Sequence, residues 1–259
     1  MDQQASDIID LEEIRREIDE IDDGILRLLQ ERFDVIARVK MAKQNDTGDQ
    51  LPLRPAREAM ILARLTQGND SRVPDDLIVR LWRTIICRST LAQAPVQINV
   101  SSDLLANETA RQALADHFIG FPLKPYNKVK MALNSAIKSN VELCAVAAAS
   151  NWVDHFTDST FAELSVILSI PFEDQHMIIL GKVNNEPTGD DETLLVTRGR
   201  LPRDFVPAPL WEVKTAGGHM LTSLPGYLTT SQSPLVGLLS GNSDLALKVL
   251  GRYPSPFEV

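Results

Sequence analysis

The chain has 259 residues, is 44% apolar and carries a formal net charge of −9, enough material for one large core or two smaller domains. So acidic a balance argues against nucleic acid or an anionic membrane surface as main partner, while leaving local cations free to hold a small anion. Its two cysteines, Cys87 and Cys144, are far apart and form no CxxC, which excludes a disulfide framework and fits a reducing compartment.

The opening stretch, "MDQQASDIIDLEEI", is acidic and lacks the apolar core of a secretory signal. No run approaches the roughly 18 apolar residues of a membrane span, so the expected location is cytoplasmic. His117, His155, His176 and His219 share no metal-ligand spacing, and no metal or cofactor is expected.

From about Ile8 to Gln44 the apolar period is helical, over about 37 residues and about 55 Å. At 100° per residue Ile14, Ile18, Ile21, Ile25, Leu28, Leu29, Ile36 and Val39 fall in an arc about 100° wide. Arg32 and Lys43 fall inside it, within about 20° of each other and roughly 16 Å apart along the axis. Arg15 lies at the rim, about 40° beyond. Singly, Arg32 could pair with a glutamate and Lys43 could snorkel near the helix end. Together on one azimuth they point to a pocket for an anion, because buried cations need carboxylates.

"NDTGDQLPLRP" breaks this helix, and "AREAMILARLTQ" forms a second, with Arg57 and Glu58 near its start. A third, "PDDLIVRLWRTIICRSTLAQ", has Asp75 and Asp76 at its positive end. Leu77, Leu81 and Ile85, with Ile78 and Trp82, form its expected apolar face, which Arg88 and Ser89 interrupt before Gln93 ends it. Three helices so unequal cannot bury the first along its whole length in one subunit; a dimer of long helices can. A coiled coil that only dimerises the protein is the plainer alternative.

A boundary falls near Ala94–Pro95. Beyond it strands alternate with helices: "VQINV", "NETARQALADHF", "KVKMALNSAIKSN", "VELCAVAAAS", then strands in "FAELSVILSIPF", "HMIILGKV" and "ETLLVTRG". That order predicts an α/β domain over residues 95–259. The polar set contains no nucleophile–base pair, metal cluster or glycine-rich phosphate cradle. Fixed donors without acid–base machinery suit a reaction driven by orientation and electrostatic stabilisation.

"LEEIRREIDEIDDGILRLLQERFDVIARVKMAK", "REAMILARL" and "LWRTIICRSTLAQ" together resemble the all-helical chorismate mutase family over residues 8–94. The resemblance implies a three-helix fold in an intertwined homodimer, with no cofactor, converting chorismate to prephenate by an intramolecular Claisen-type rearrangement. It implies that Arg32 clamps one substrate carboxylate and that Arg15, lent by the partner subunit, clamps another. It also places Lys43 and Gln93 on the ether oxygen, Glu58 on the ring hydroxyl beside Arg57, and Ser89 at the pocket wall. Arg54 stands where the family often has an acidic or other polar residue, and the connection after Lys43 is slightly long.

Residues 95–259 resemble, more distantly, the α/β lobe of prephenate dehydratases and periplasmic binding proteins. Dehydratases carry Thr-Arg-Phe; "DETLLVT" has Thr193 followed by Leu194 and Leu195, so dehydratase catalysis is not expected. The preferred reading is a non-catalytic lobe that binds an aromatic amino acid effector or helps set the assembly. Ser150 and Asn151, beside Trp152, and Gly218 and His219, after Gly217, are the candidate effector residues, against a plain tight turn and a packing tryptophan. A non-catalytic scaffold and a bifunctional enzyme with a second prephenate-processing activity stay open as alternatives.

Overall fold

A computed structural model describes residues 10–44, 51–70, 72–156, 159–241 and 243–257, without the side chains at 43, 44, 159 and 243. The chain divides in space into two compact units, residues 1–48 and 49–259.

The first unit's described part is a single helix, α1 (Leu11–Gln44), without proline and with one glycine, Gly24. Asp10 accepts a hydrogen bond from the Glu12 N–H at its start. Arg15–Glu12, Arg16–Glu13 and Arg27–Glu31 pair along its surface, each worth a few tenths of a kcal/mol. The expected apolar stripe is present but uncovered: Leu11, Ile14, Ile18, Ile21, Ile25, Leu28 and Val39 are exposed. Leu29, Arg32, Ile36 and Lys40 are half-buried.

The second unit opens with α2 (Pro55–Gln67) and α3 (Asp75–Gln93). Proline at the first position of α2 is pre-set for a helix start, and Glu58 supplies the first-turn acid. On α3 the buried residues are Ile78, Val79, Cys87, Ser89 and Thr90, whereas Leu77 and Leu81 of the expected face are exposed. Of the expected face Ile78 is buried and Trp82 and Ile85 are half-buried, so this unit packs the helix between that face and the one that carries Val79 and Cys87.

The α/β part runs β1 (Gln97–Ser101), α4 (Ser102–Ala106), α5 (Glu108–His117), β2 (Leu123–Tyr126), α6 (Val129–Lys138) and β3 (Glu142–Ala147). It continues through α7 (Trp152–Phe156), β4 (Ser165–Phe172), β5 (Gln175–Gly181), β6 (Asp191–Thr197), β7 (Trp211–Lys214), β8 (Met220–Pro225), α8 (Leu235–Gly241) and β9 (Lys248–Pro254). The strands form one nine-stranded mixed sheet in the order β2-β1-β3-β5-β4-β9-β6-β8-β7. β2 ("LKPY") and β7 ("WEVK"), absent from the sequence reading, are its two edges. Edge strands bury little, so neither carries the apolar signature of an inner strand.

Alternation splits the sheet's side chains between layers. Met177 and Ile179 of β5 enter a core with Ile98, Leu143, Leu114, Leu51, Leu53 and Cys87. Ile178 and Leu180 enter the opposite core with Leu133, Trp152, Leu194 and Tyr253. A third, smaller core gathers Leu195, Leu224, Leu235 and Leu238.

The two halves of the sheet meet where β4 pairs with β9 in parallel, at Val166 and Gly251. A Cβ on Gly251 would stand 2.1 Å from the Val166 carbonyl oxygen and 2.7 Å from its nitrogen. Because the obstacle is backbone, Gly251→Ala is expected to destabilise by about 2–3 kcal/mol in urea unfolding. Gly237→Ala, on α8 with open space around it, is expected to stay within about 0.5 kcal/mol of the parent.

Candidate active site

On α1, Arg15 is exposed and lies 2.5 Å from the Glu12 carboxylate. Arg32, half-buried in the stripe, has its pKa lowered from the ordinary arginine value by partial removal from water. The Lys43 side chain lies outside the described residues.

On α2, Arg57 and Glu58 diverge as neighbours on a helix must: Arg57 is exposed and Glu58 is buried. The Arg54 side chain is exposed and does not cap the helix, but its carbonyl accepts the Glu58 N–H at 3.0 Å. On α3, the buried Ser89 hydroxyl donates to the Ile85 carbonyl at 2.7 Å, and the half-buried Gln93 amide donates to the Ser89 carbonyl at 3.1 Å. Both side chains therefore lie back along α3.

Glu58 belongs to a pocket within the second unit, a cavity of about 550 Å³. Its walls come from α2 and α3, from α5 (Ala113, Asp116, His117), from β4 (Leu168–Pro171) and from residues 254–257. Arg83 Nε stands 3.7 Å from Glu58 Oε1, and both side chains are largely withdrawn from solvent. Burial pushes the Glu58 carboxyl up to about 7, with the Arg83 charge pulling the other way. Burial, then the same arginine, push His117 down to about 3. Burial, then the Glu58 charge, push the Cys87 thiol up to about 12, which leaves it an inert core group. At neutral pH the interior of the pocket therefore holds one permanent cation, a neutral imidazole and a carboxyl near its midpoint.

Arg83 and His117 were missed in the sequence. The signal existed for Arg83: it sits four residues after Val79 and four before Cys87, both buried, hence on the packed face of α3. No comparable signal marks His117, because its environment is made by α3.

The two segments that carry the candidate effector residues lie against each other. The turn after β7 docks on the segment between β3 and α7, with the Ala216 N–H donating to the Ala149 carbonyl at 2.8 Å. His219 Nδ1 comes within 3.2 Å of Asp154 Oδ1, without hydrogen-bond alignment. A Cβ on Gly217 would stand 2.1 Å from the Asp154 carboxylate, and Gly218 adopts a φ of +85°. The two glycines thus do different things: one admits a carboxylate and the other turns the chain. Ser150 donates to the Ala147 carbonyl at 2.8 Å, Asn151 is exposed, and Trp152 is fully buried as a packing residue.

Residues 14–94 match the family model described as "Chorismate mutase type II". The helical region is a chorismate mutase domain. Its span contains Arg15, Arg32, Lys43, Arg57, Glu58, Ser89 and Gln93, and the family is one of isomerases. Among solved structures, the chain is similar to one described as "GqqA- a novel type of quorum quenching acylases", at 14% identity and a TM-score of 0.42, over 61% of this chain and 95% of that one. It is also similar to prephenate dehydratase from Streptococcus mutans, at 14% identity and TM-score 0.35, over 61% of this chain and 98% of that one. A third likeness is to prephenate dehydratase in complex with L-Phe from Arthrobacter aurescens, at 12% identity and TM-score 0.34, over 62% and 92%. No curated protein matches the chain. Among the described residues no helix is long and apolar enough to cross a membrane.

The buried carboxyl of the chorismate mutase domain predicts a pH signature. Folded, Glu58 keeps its proton to about pH 7; its ordinary value is 4.5. Between those values folding takes up a proton, so stability falls as pH rises, by at most about 3 kcal/mol. His117 acts in the opposite sense, its contribution present above about pH 6.5 and lost toward pH 3. Glu58→Gln removes only the first effect. Urea unfolding from pH 4.5 to 8 should show the variant gaining steadily on the parent as pH rises, whereas a constant gap would place Glu58 in its ionised form throughout.

Proposed function

We propose that the chorismate mutase domain converts chorismate to prephenate by an intramolecular Claisen-type rearrangement, in a homodimer whose sites each take Arg15 from the partner subunit. The match over residues 14–94, which spans all seven candidate residues, carries this reading. The uncovered faces support the dimer: α1 exposes an apolar stripe running from Leu11 to Val39, and α3 exposes Leu77 and Leu81. A helix of this length draws its stability from packing such a face.

In this reading Arg32 and Arg15 hold the two carboxylates of the substrate in a compact conformer, which removes much of the orientational entropy from the barrier. The ether oxygen gains negative charge as its C–O bond breaks, with the new C–C bond forming in the same molecule. Lys43 and Gln93 donate to that oxygen and so bind the transition state more tightly than the ground state. Glu58 takes the ring hydroxyl, with Arg57 beside it and Ser89 in the wall. Arg32 loses part of its hydration on the helix, a penalty that a substrate carboxylate offsets.

Residues 95–259 we read as a lobe without dehydratase chemistry. The Thr193 hydroxyl is fully buried and committed, donating to the Gly226 carbonyl at 2.7 Å and accepting from the Leu228 N–H at 2.9 Å. The docking of the turn that carries Gly218 and His219 on the segment that carries Ser150 and Asn151 supports an aromatic amino acid effector at that turn. Both cysteines are free and buried, which fits a cytoplasmic setting.

A direct assay following chorismate loss and prephenate appearance tests the assignment. Arg32→Ala is expected to lower kcat/KM by about 100-fold or more while sedimentation still shows the dimer; near-normal turnover would sink the reading. Heterodimers mixed from Arg15→Ala and Lys43→Ala subunits should recover part of the activity that each homodimer lacks, since one of the two sites is then intact. No recovery in verified heterodimers counts against a shared site.

A further inference from the structure

The Arg83 cavity has walls that a chorismate mutase domain alone does not supply. α5, β4 and residues 254–257 all lie beyond the matched span. Arg83 Nε is buried and makes no hydrogen bond among the described residues, with Glu58 at 3.7 Å, beyond hydrogen-bond reach. A buried guanidinium N–H without an acceptor is an incomplete arrangement, and a carboxylate is its best partner. The surrounding surface is chiefly apolar, with Leu62, Leu168, Ile170 and Phe257 among the lining side chains, and about 550 Å³ accommodates a small organic acid.

We propose that this cavity binds a small carboxylic acid with an apolar body, its carboxylate hydrogen-bonded to Arg83 in place of the Glu58 contact. Glu58 is the internal competitor. When it is ionised, it satisfies part of the Arg83 charge and repels an incoming carboxylate; when it is protonated, the cation is open to the ligand. The site is therefore both a receptor for an acid and a place where that acid alters Glu58, a residue of the proposed mutase site.

The other titratable groups facing the pair are few. α3 adds Cys87, an uncharged thiol, and α5 adds His117, held neutral, and Asp116, exposed at the wall. β4 and residues 254–257 contribute no titratable side chain to the lining. Glu58 is thus the group whose ionisation changes between pH 6 and 8, and binding should tighten as pH falls through that interval.

The experiment uses the full chain and phenylacetate, with phenylacetamide as the uncharged isostere, and is read without turnover, so its failure and that of the mutase reading are separable. Calorimetry should give phenylacetate a Kd on the order of 0.1–1 mM at pH 6, with the amide weaker by about tenfold or more. The Arg83 Nε–Hε resonance should shift saturably with the acid. Arg83→Gln should lose binding by at least about tenfold, and Ala113→Trp, which fills the cavity while keeping the arginine, should lose it as well. If Arg83→Gln does not fold, the acid–amide comparison and the Arg83 resonance in the parent protein still decide. Absence of phenylacetate binding, equal affinity for acid and amide, or an unmoved Arg83 resonance at saturation overturns the proposal.

Discussion

The second unit depends on burying Leu51, Leu53 and Cys87 in the same core as Ile98, Leu143 and Ile179. Through these side chains the connection before α2 and the middle of α3 become part of the sheet's own interior. Their helices are thereby held with one face against β4 and α5, and the polar residues on that face leave bulk water. Glu58, Arg83 and His117 share a cavity for this reason.

Once they share it, electrostatics follows from a single unpaired balance. One arginine stands among groups that burial discharges: it adds to the burial that keeps His117 neutral and draws Glu58 partly back toward its charged form. A similar economy governs the opposite core, where Glu192 accepts hydrogen bonds from Ser223 and Tyr253 and burial raises its pKa. There the carboxyl is enclosed by donors and makes no open site. At Arg83 the buried Nε–H has no acceptor among the described residues and the side chain lines a cavity, and this difference separates a structural polar network from a receptive one.

α1 presents the complementary case. Its apolar residues are arranged for burial yet lie exposed, and Arg32 sits part-way out of water among them. Period 3.6 was enough to read that stripe and the place of Arg32 within it, because a helix sets side-chain directions locally. The near-continuous apolar runs in "SVILSIPF" and "HMIILG" were likewise enough to identify inner strands, which are covered on both faces. β2 and β7 escaped because an edge strand need not be apolar, and the packed face of α3 was read only in part, Ile78 but not Val79 or Cys87, because that helix is apolar on two sides.

What the sequence determined by itself is the three N-terminal helices, α5 and α6, the strands β1, β3, β4, β5 and β6, and the chorismate mutase character of the helical region. Each of these is written in spacing along the chain, over distances that local geometry fixes. Only the tertiary structure decided that α2 and α3 pack with the sheet, that Arg83 meets Glu58 and His117, and that Gly217 lies against Asp154. Those contacts join residues 25 to 63 positions apart. No local period encodes them, because the burial that shifts each group comes from elements elsewhere in the chain.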